Sequence, residues 1–192
     1  MDRLDEAFKR LGITPTDFQW EAASTIVNRD EDLLGVAPTG SGKSECYLSA
    51  ALALQPLITV VVSPLLALIR DQVRRCDRYK IPAVAVHGSI TPKQRQNAID
   101  WINDGQAIVV VTTPETLRNK DDLSSALERR GVGLLAIDEA HVIQDWGDSF
   151  RPAYAWLSAI ARKVRPRRVA VFSATLTADA ALLAARSVGR WK

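Results

Sequence analysis

Apolar residues in this chain follow two rhythms that alternate from one end to the other. Short uninterrupted apolar runs at 33–37, 57–63, 83–87, 107–111, 133–137 and 169–172 suit strands buried on both faces. Between them lie segments whose apolar positions recur every three or four residues, the signature of amphipathic helices. The spacing predicts helices over 4–11, 16–28, 43–54, 65–79, 92–102, 123–130, 152–164 and 178–187. Leu4, Ala7, Phe8 and Leu11 trace the apolar face of the first, and Gly12 follows as its C-cap. Thr16 is placed to cap the second, with Asp17 in its first turn. Leu65, Leu68, Ile69, Gln72 and Val73 share one face of the fourth. Regular alternation of strand and helix argues for an α/β fold: a mainly parallel sheet with helices on both faces. Ligands of such sheets sit at the carboxyl ends of the strands.

Composition sets outer bounds. Of 192 residues, 47% are hydrophobic and 24% charged, the balance of a globular domain with room for a core. No repeat, low-complexity tract or composition shift divides the chain, so one domain over 1–192 is expected. Cys46 and Cys76 are too few and too unpatterned for a metal cluster or a disulfide framework. No apolar run approaches the roughly 20 residues that span a bilayer, and the start, Met1 to Glu6, lacks a signal-peptide pattern. The expectation is a cytoplasmic protein, nucleoid- or nucleus-associated if its partner is, with no membrane contact. A net charge of +3 hints at a polyanionic partner and no more.

Chemistry concentrates where the first strand ends. Ala37-Pro38-Thr39-Gly40-Ser41-Gly42-Lys43-Ser44 lies between an apolar strand and a helix, the context a phosphate-binding loop requires. Gly40 and Gly42 admit backbone angles closed to other residues. Thr39, Gly40, Ser41 and Gly42 then present N–H groups to an anion, together with the positive end of the following helix. Lys43 reaches the terminal phosphates of a nucleoside triphosphate, and Ser44 offers its hydroxyl to Mg²⁺. Ala37 stands where the usual pattern has its first glycine. A second pair of groups, Asp138 and Glu139, ends the buried strand at 133–137. Alone they are two solvated acids. Beside Lys43 and Ser44 they supply what phosphoryl transfer needs, with Asp138 for the metal and Glu139 to orient the attacking water.

Asp138-Glu139-Ala140-His141 resembles the DEAH form of motif II of superfamily-two helicases, and Ala37 to Ser44 is similar to their motif I. Pro15 to Gln19 resembles their adenine-reading glutamine motif, which implies Gln19 as the adenine contact. Ser173-Ala174-Thr175 is similar to motif III, implying that Ser173 and Thr175 couple the nucleotide to nucleic acid, with His141 in the same relay. Three stretches point to RecQ-like enzymes: Ser63 to Gln72, Cys46-Tyr47 after the loop, and Trp146 to Tyr154 after the DEAH box. The last resembles the aromatic-rich loop that senses single-stranded DNA. Two positions depart from the family: Phe18 and Gln19 are adjacent, without the usual intervening arginine, and Asp148 stands where histidine is typical. The resemblance implies a three-layer RecA-like P-loop NTPase domain, the first of two in a motor that hydrolyses ATP–Mg²⁺ and unwinds DNA.

Single-strand grooves combine backbone-tracking polar groups with aromatic faces. Trp146, Phe150 and Arg151 fit that description; buried packing of both rings is the alternative, and the resemblance tilts the choice toward the groove. Ser63 and Pro64, and Thr112 and Thr113 at the place of motif Ib, are expected to approach phosphate oxygens through hydroxyls or N–H groups. Arg70 and Gln72 are weaker candidates on the same surface. The basic run Arg162 to Arg168 precedes the strand that ends at Ser173, so it is expected at the pole opposite the nucleotide, as solvated surface. The expected partners are single-stranded or forked DNA and a second RecA-like domain, in cis or in trans. A second reading is an ATP-dependent nucleic-acid-binding or regulatory module that does not unwind.

Overall fold

The computed structural model describes residues 2–119, 121–140 and 159–174. Helices α1 (Arg3–Leu11) and α2 (Asp17–Val27) precede strand β1 (Leu33–Val36) and helix α3 (Lys43–Ala53). Then come β2 (Ile58–Val62), α4 (Leu66–Arg78), β3 (Ala83–Val86), α5 (Pro92–Asn103) and β4 (Val109–Thr112). The short α6 (Pro114–Asn119) and α7 (Asp121–Arg130) lead to β5 (Val132–Ile137), and β6 (Arg168–Ser173) closes the series. Thr16 caps α2 in a reciprocal box: its hydroxyl accepts from Gln19 N–H while the Gln19 side chain accepts from Thr16 N–H. Gly12 closes α1 in the left-handed conformation that glycine reaches freely.

The six strands among the described residues form one parallel sheet in the order β1-β6-β5-β2-β4-β3. β2, β4 and β5 are buried at every position, which is why their sequences read as unbroken apolar runs. Alternate residues feed opposite layers. Val60, Val62, Leu135, Ile137, Val169 and Val171 pack in the core under α5, α6 and α7. Val61, Leu134, Ala136, Ala170 and Phe172 pack in the core formed with α1 to α4. Within the second core α3 is buried at all eleven positions, with α1 and α2 against it.

Register aligns the functional ends. Val36 pairs with Ser173, Ile137 with Val171, and Val62 with both Ile137 and Thr112. The phosphate loop, Ser173, Asp138, Ser63 and Thr113 therefore lie along one rim of the sheet.

Periodicity does not predict α6, because six residues carry too little of it. Local chemistry makes it: Pro114 opens the turn, and Thr113 Oγ1 accepts from Thr116 N–H at 3.2 Å. The helix expected over 152–164 is helical at 159–164, and its earlier part lies outside the described residues, as does the helix expected over 178–187. No helix among the described residues is long and apolar enough to cross a membrane.

The basic run sits at the amino end of β6, away from the rim, and Lys163, Arg165, Arg167 and Arg168 within it are paired with acids. Lys163 bonds Asp121 at 2.9 Å, Arg165 lies 3.7 Å from Glu128, and Arg167 and Arg168 both contact Asp30. Hydrogen bonding from Arg167, helped by the charge of Arg168, holds the Asp30 carboxyl below its ordinary value. A lowered carboxyl stabilises the fold above its unfolded-state value and loses that contribution as pH falls through the folded one. Asp30→Asn, which still tolerates the positive φ at this turn, is expected to destabilise at neutral pH by at most about 1 kcal/mol, the range of screened surface pairs. Urea melts should show that deficit vanish in acid; a deficit that persists there means the turn, not the charge, was disturbed.

Candidate nucleotide and metal site

Gly40 and Gly42 hold φ of 83° and 82°, so the loop takes the left-handed backbone that the sequence pattern demands. Packing against Gln19 is a second reason that favours glycine at position 42. A Cβ there would collide with Gln19 Nε2 and approach Glu45 Oε2 at 3.4 Å. Gln19 lies against the loop and donates from Nε2 to Gly42 O at 3.4 Å, while its Oε1 accepts from Thr16 N–H at 2.9 Å. An amide has two hydrogens and two lone pairs, so one of each remains for a base edge. Thr39 and Gly40 are exposed at the loop tip, and Ser41 Oγ is buried without a hydrogen-bond partner.

Lys43 is only 6% exposed. Its Nζ donates to the carbonyls of Ala37 at 2.9 Å and Pro38 at 3.2 Å, and lies 3.9 Å from Glu139 Oε1. The ammonium is thus held across the mouth of the loop, where a terminal phosphate can exchange for the carbonyls. Glu139 follows Asp138 with φ of 50°, an angle uncommon outside glycine, and its N–H donates to Asp138 Oδ1 at 3.1 Å.

Ser44 and Asp138 come from separate elements, yet share two donors. Tyr47 OH lies 3.0 Å from Ser44 Oγ and 3.2 Å from Asp138 Oδ2. Gln72 Nε2 lies 3.3 Å and 3.0 Å from the same two oxygens. Burial, then the charge of Asp138, holds the Tyr47 phenol well above its ordinary range, so it remains a proton donor. Burial first, and the neighbouring Glu139 second, pushes the Asp138 carboxyl up as well. A desolvated carboxylate beside a hydroxyl is a hard-oxygen pair that favours a small divalent cation, which in turn favours the ionised carboxylate. The donor set fits Mg²⁺, and Ser44 and Asp138 are the residues that could hold it. No group of three or more His, Cys, Asp or Glu gathers for a metal among the described residues. Burial pushes the Cys46 and Cys76 thiols up to about 12, so neither supplies a thiolate.

A profile of the DEAD/DEAH box helicases matches residues 16–183. The chain belongs to that family. It is 36% identical over 181 residues to the ATP-dependent DNA helicase RecQ of Synechocystis sp., covering 92% of this chain and 37% of the relative. It is 38% identical over 148 residues to ATP-dependent DNA helicase Q4 of Homo sapiens, covering 76% and 12%. The crystal structure of the DUF1998 helicase MrfA bound to DNA superposes with a TM-score of 0.77 at 21% identity, covering 100% of this chain and 28% of that one. The fold is the RecA-like domain of such helicases. The chain spans well under half the length of both curated relatives.

Other predicted DEAD/DEAH residues fare unevenly. Ser173 is buried at the rim, where its carbonyl accepts from Ala37 N–H at 3.1 Å. His141, Trp146, Phe150, Arg151 and Thr175 lie outside the described residues. At motifs Ia and Ib, where hydroxyls or N–H groups are expected to approach phosphate oxygens, the hydroxyls are buried in this structure. Ser63 and Thr112 are fully buried, Thr112 Oγ1 donates to Val86 O at 2.6 Å, and Thr113 Oγ1 caps α6. The Ser63 N–H is also taken, donating to Thr112 O at 3.0 Å, and Pro64 has no N–H to offer. Gln72 likewise turns inward to Asp138, whereas Arg70 is exposed. Sequence reasoning missed Tyr47, although its i+3 spacing from Ser44 on one helix face was a usable signal.

Gly42→Ala is expected to destabilise by about 1–3 kcal/mol, the order of a strained left-handed residue. In a Gln19→Ala background part of that loss should return, because the collision is gone while the backbone strain stays. Urea unfolding of the four proteins measures this; equal losses in both backgrounds contradict the Gln19–Gly42 contact.

Proposed function

We propose that the chain is the first of two RecA-like motor domains of a RecQ-like DNA helicase, and that it binds ATP–Mg²⁺. The observation that carries this reading is the convergence of Lys43, Ser44, Asp138 and Glu139 on one strand-end rim, in the order and spacing of the DEAD/DEAH motifs. The loop N–H groups from Thr39 to Ser44 and Lys43 cradle the phosphates, while Gln19 uses its spare donor and acceptor on adenine. When bound, Mg²⁺ neutralises charge on the β- and γ-phosphate oxygens. Ser44 and Asp138 hold it, and Glu139 orients water and receives its proton.

Single-stranded or forked DNA is the proposed polymer, crossing the rim past the ends of β2 and β4. Trp146 and Phe150 offer stacking faces, Arg151 a phosphate contact, and the backbone after Ser63 and Thr112 further ones. Ser173, Thr175 and His141 link this surface to the γ-phosphate. A second RecA-like domain, in cis or in trans, supplies the other wall of the cleft and an arginine, a group worth on the order of 10³–10⁵ in rate.

Two assays test the reading. Calorimetric titration with ATP–Mg²⁺ should detect weak binding to the 192-residue chain and none to Lys43→Ala; equal binding by both removes the phosphate-loop assignment. Phosphate release by these residues alone should be at most trace, and should rise with single-stranded DNA when the second motor domain is added. Glu139→Gln should abolish that rise while sparing ATP binding. Robust DNA-stimulated hydrolysis by the isolated monomer contradicts the two-domain account.

A further inference from the structure

Gln72 has no place in the phosphate loop or the DEAH box, yet it is almost wholly removed from solvent and points its amide into the cation site. Its exposure is 7%, and Nε2 donates to Asp138 Oδ2 at 3.0 Å and Ser44 Oγ at 3.3 Å. Because a carboxylate only accepts, the nitrogen rather than the oxygen faces it. The amide oxygen is left buried with no donor. A desolvated acceptor without a donor costs more than an ordinary hydrogen bond gains, so a native site needs something to donate there. Tyr47, fully buried against Phe172 at 5.6 Å between ring centroids, fixes the same two oxygens from the other helix.

We infer that Gln72 is a positioning residue of the cation site, its Nε2 orienting Asp138 and Ser44 and its Oε1 accepting from a water on the cation. Mg²⁺ keeps several of its waters when protein-bound, and those waters are strong donors. Outer partners of this kind set the orientation of metal ligands and shift metal affinity by about 10- to 100-fold when removed. The inference rests on the nucleotide–Mg²⁺ reading above. It also ties α4 to both functional surfaces, since the helix that begins beside Ser63 and Pro64 at the rim carries, about two turns on, the side chain that steadies the metal ligands.

The test uses the 192-residue protein and a fluorescent ATP analogue, titrated in EDTA and against increasing Mg²⁺. Wild type should bind more tightly with Mg²⁺. Gln72→Met, close to isosteric and apolar, should need about tenfold or more Mg²⁺ for half-maximal binding, with affinity in EDTA within about twofold of wild type. Gln72→Asn, which keeps an amide of shorter reach, serves as the second variant should the first fail to fold by circular dichroism. A merely structural role would weaken binding in both conditions together and leave the Mg²⁺ requirement unchanged, and that outcome overturns the inference alone. Wild-type binding indifferent to Mg²⁺, or equal binding by Lys43→Ala, overturns the nucleotide–cation reading and the inference with it.

Discussion

Helix α3 has no face in water, and every polar group it carries must be satisfied inside the protein. That constraint shapes the site. Lys43 lends its protons to the loop carbonyls of Ala37 and Pro38. Ser44 meets Tyr47 and Gln72. Glu45, 8% exposed at its side chain, takes Arg75 at 2.5 Å and Tyr79 OH at 3.1 Å. Ser49 returns its hydroxyl to Cys46 O at 3.0 Å. An unpaired buried polar group costs about 1–3 kcal/mol, so these partners are conditions for burying the helix at all. Several of them are also the groups proposed to bind nucleotide. The same geometry that stabilises the empty domain therefore holds Lys43, Ser44 and Asp138 within reach of an incoming phosphate and cation.

The electrostatics run the other way. Asp138 sits desolvated beside Glu139, and its carboxyl is held above the ordinary range. Two adjacent acids at a buried strand end are a poor choice for stability and a good one for binding a divalent cation and a water. Glu139 adds a strained backbone at the same spot. Unfavourable charge collects at one place on the rim, while at the opposite pole the Asp30 carboxylate is paired with Arg167 and Arg168.

Most of the sheet can be read directly from the chain, because strands buried on both faces leave continuous runs such as Ile58–Val62 and Val132–Ile137. The loop and the DEAH acids are equally legible, since each is a local sequence with its own chemistry. What escapes is built from distant parts. Gln72 reads as one more residue on the apolar side of α4, and only the fold brings it to Asp138, 66 positions away. Thr112 reads as a hydroxyl at a strand end, yet the neighbouring strand claims it through Val86 O. α6 escapes because capping by Thr113, not periodicity, makes it.

The central claim is that one cation seats between α3 and the end of β5 when nucleotide occupies the loop. Crystals grown with a non-hydrolysable ATP analogue and Mn²⁺, measured for anomalous scattering, test it most directly. The account predicts a single strong peak bounded by Ser44 Oγ, Asp138 and phosphate oxygens, with Lys43 Nζ turned from the Ala37 carbonyl to the γ-phosphate. Nucleotide bound with the peak elsewhere, or with Lys43 still on Ala37 and Pro38, contradicts it.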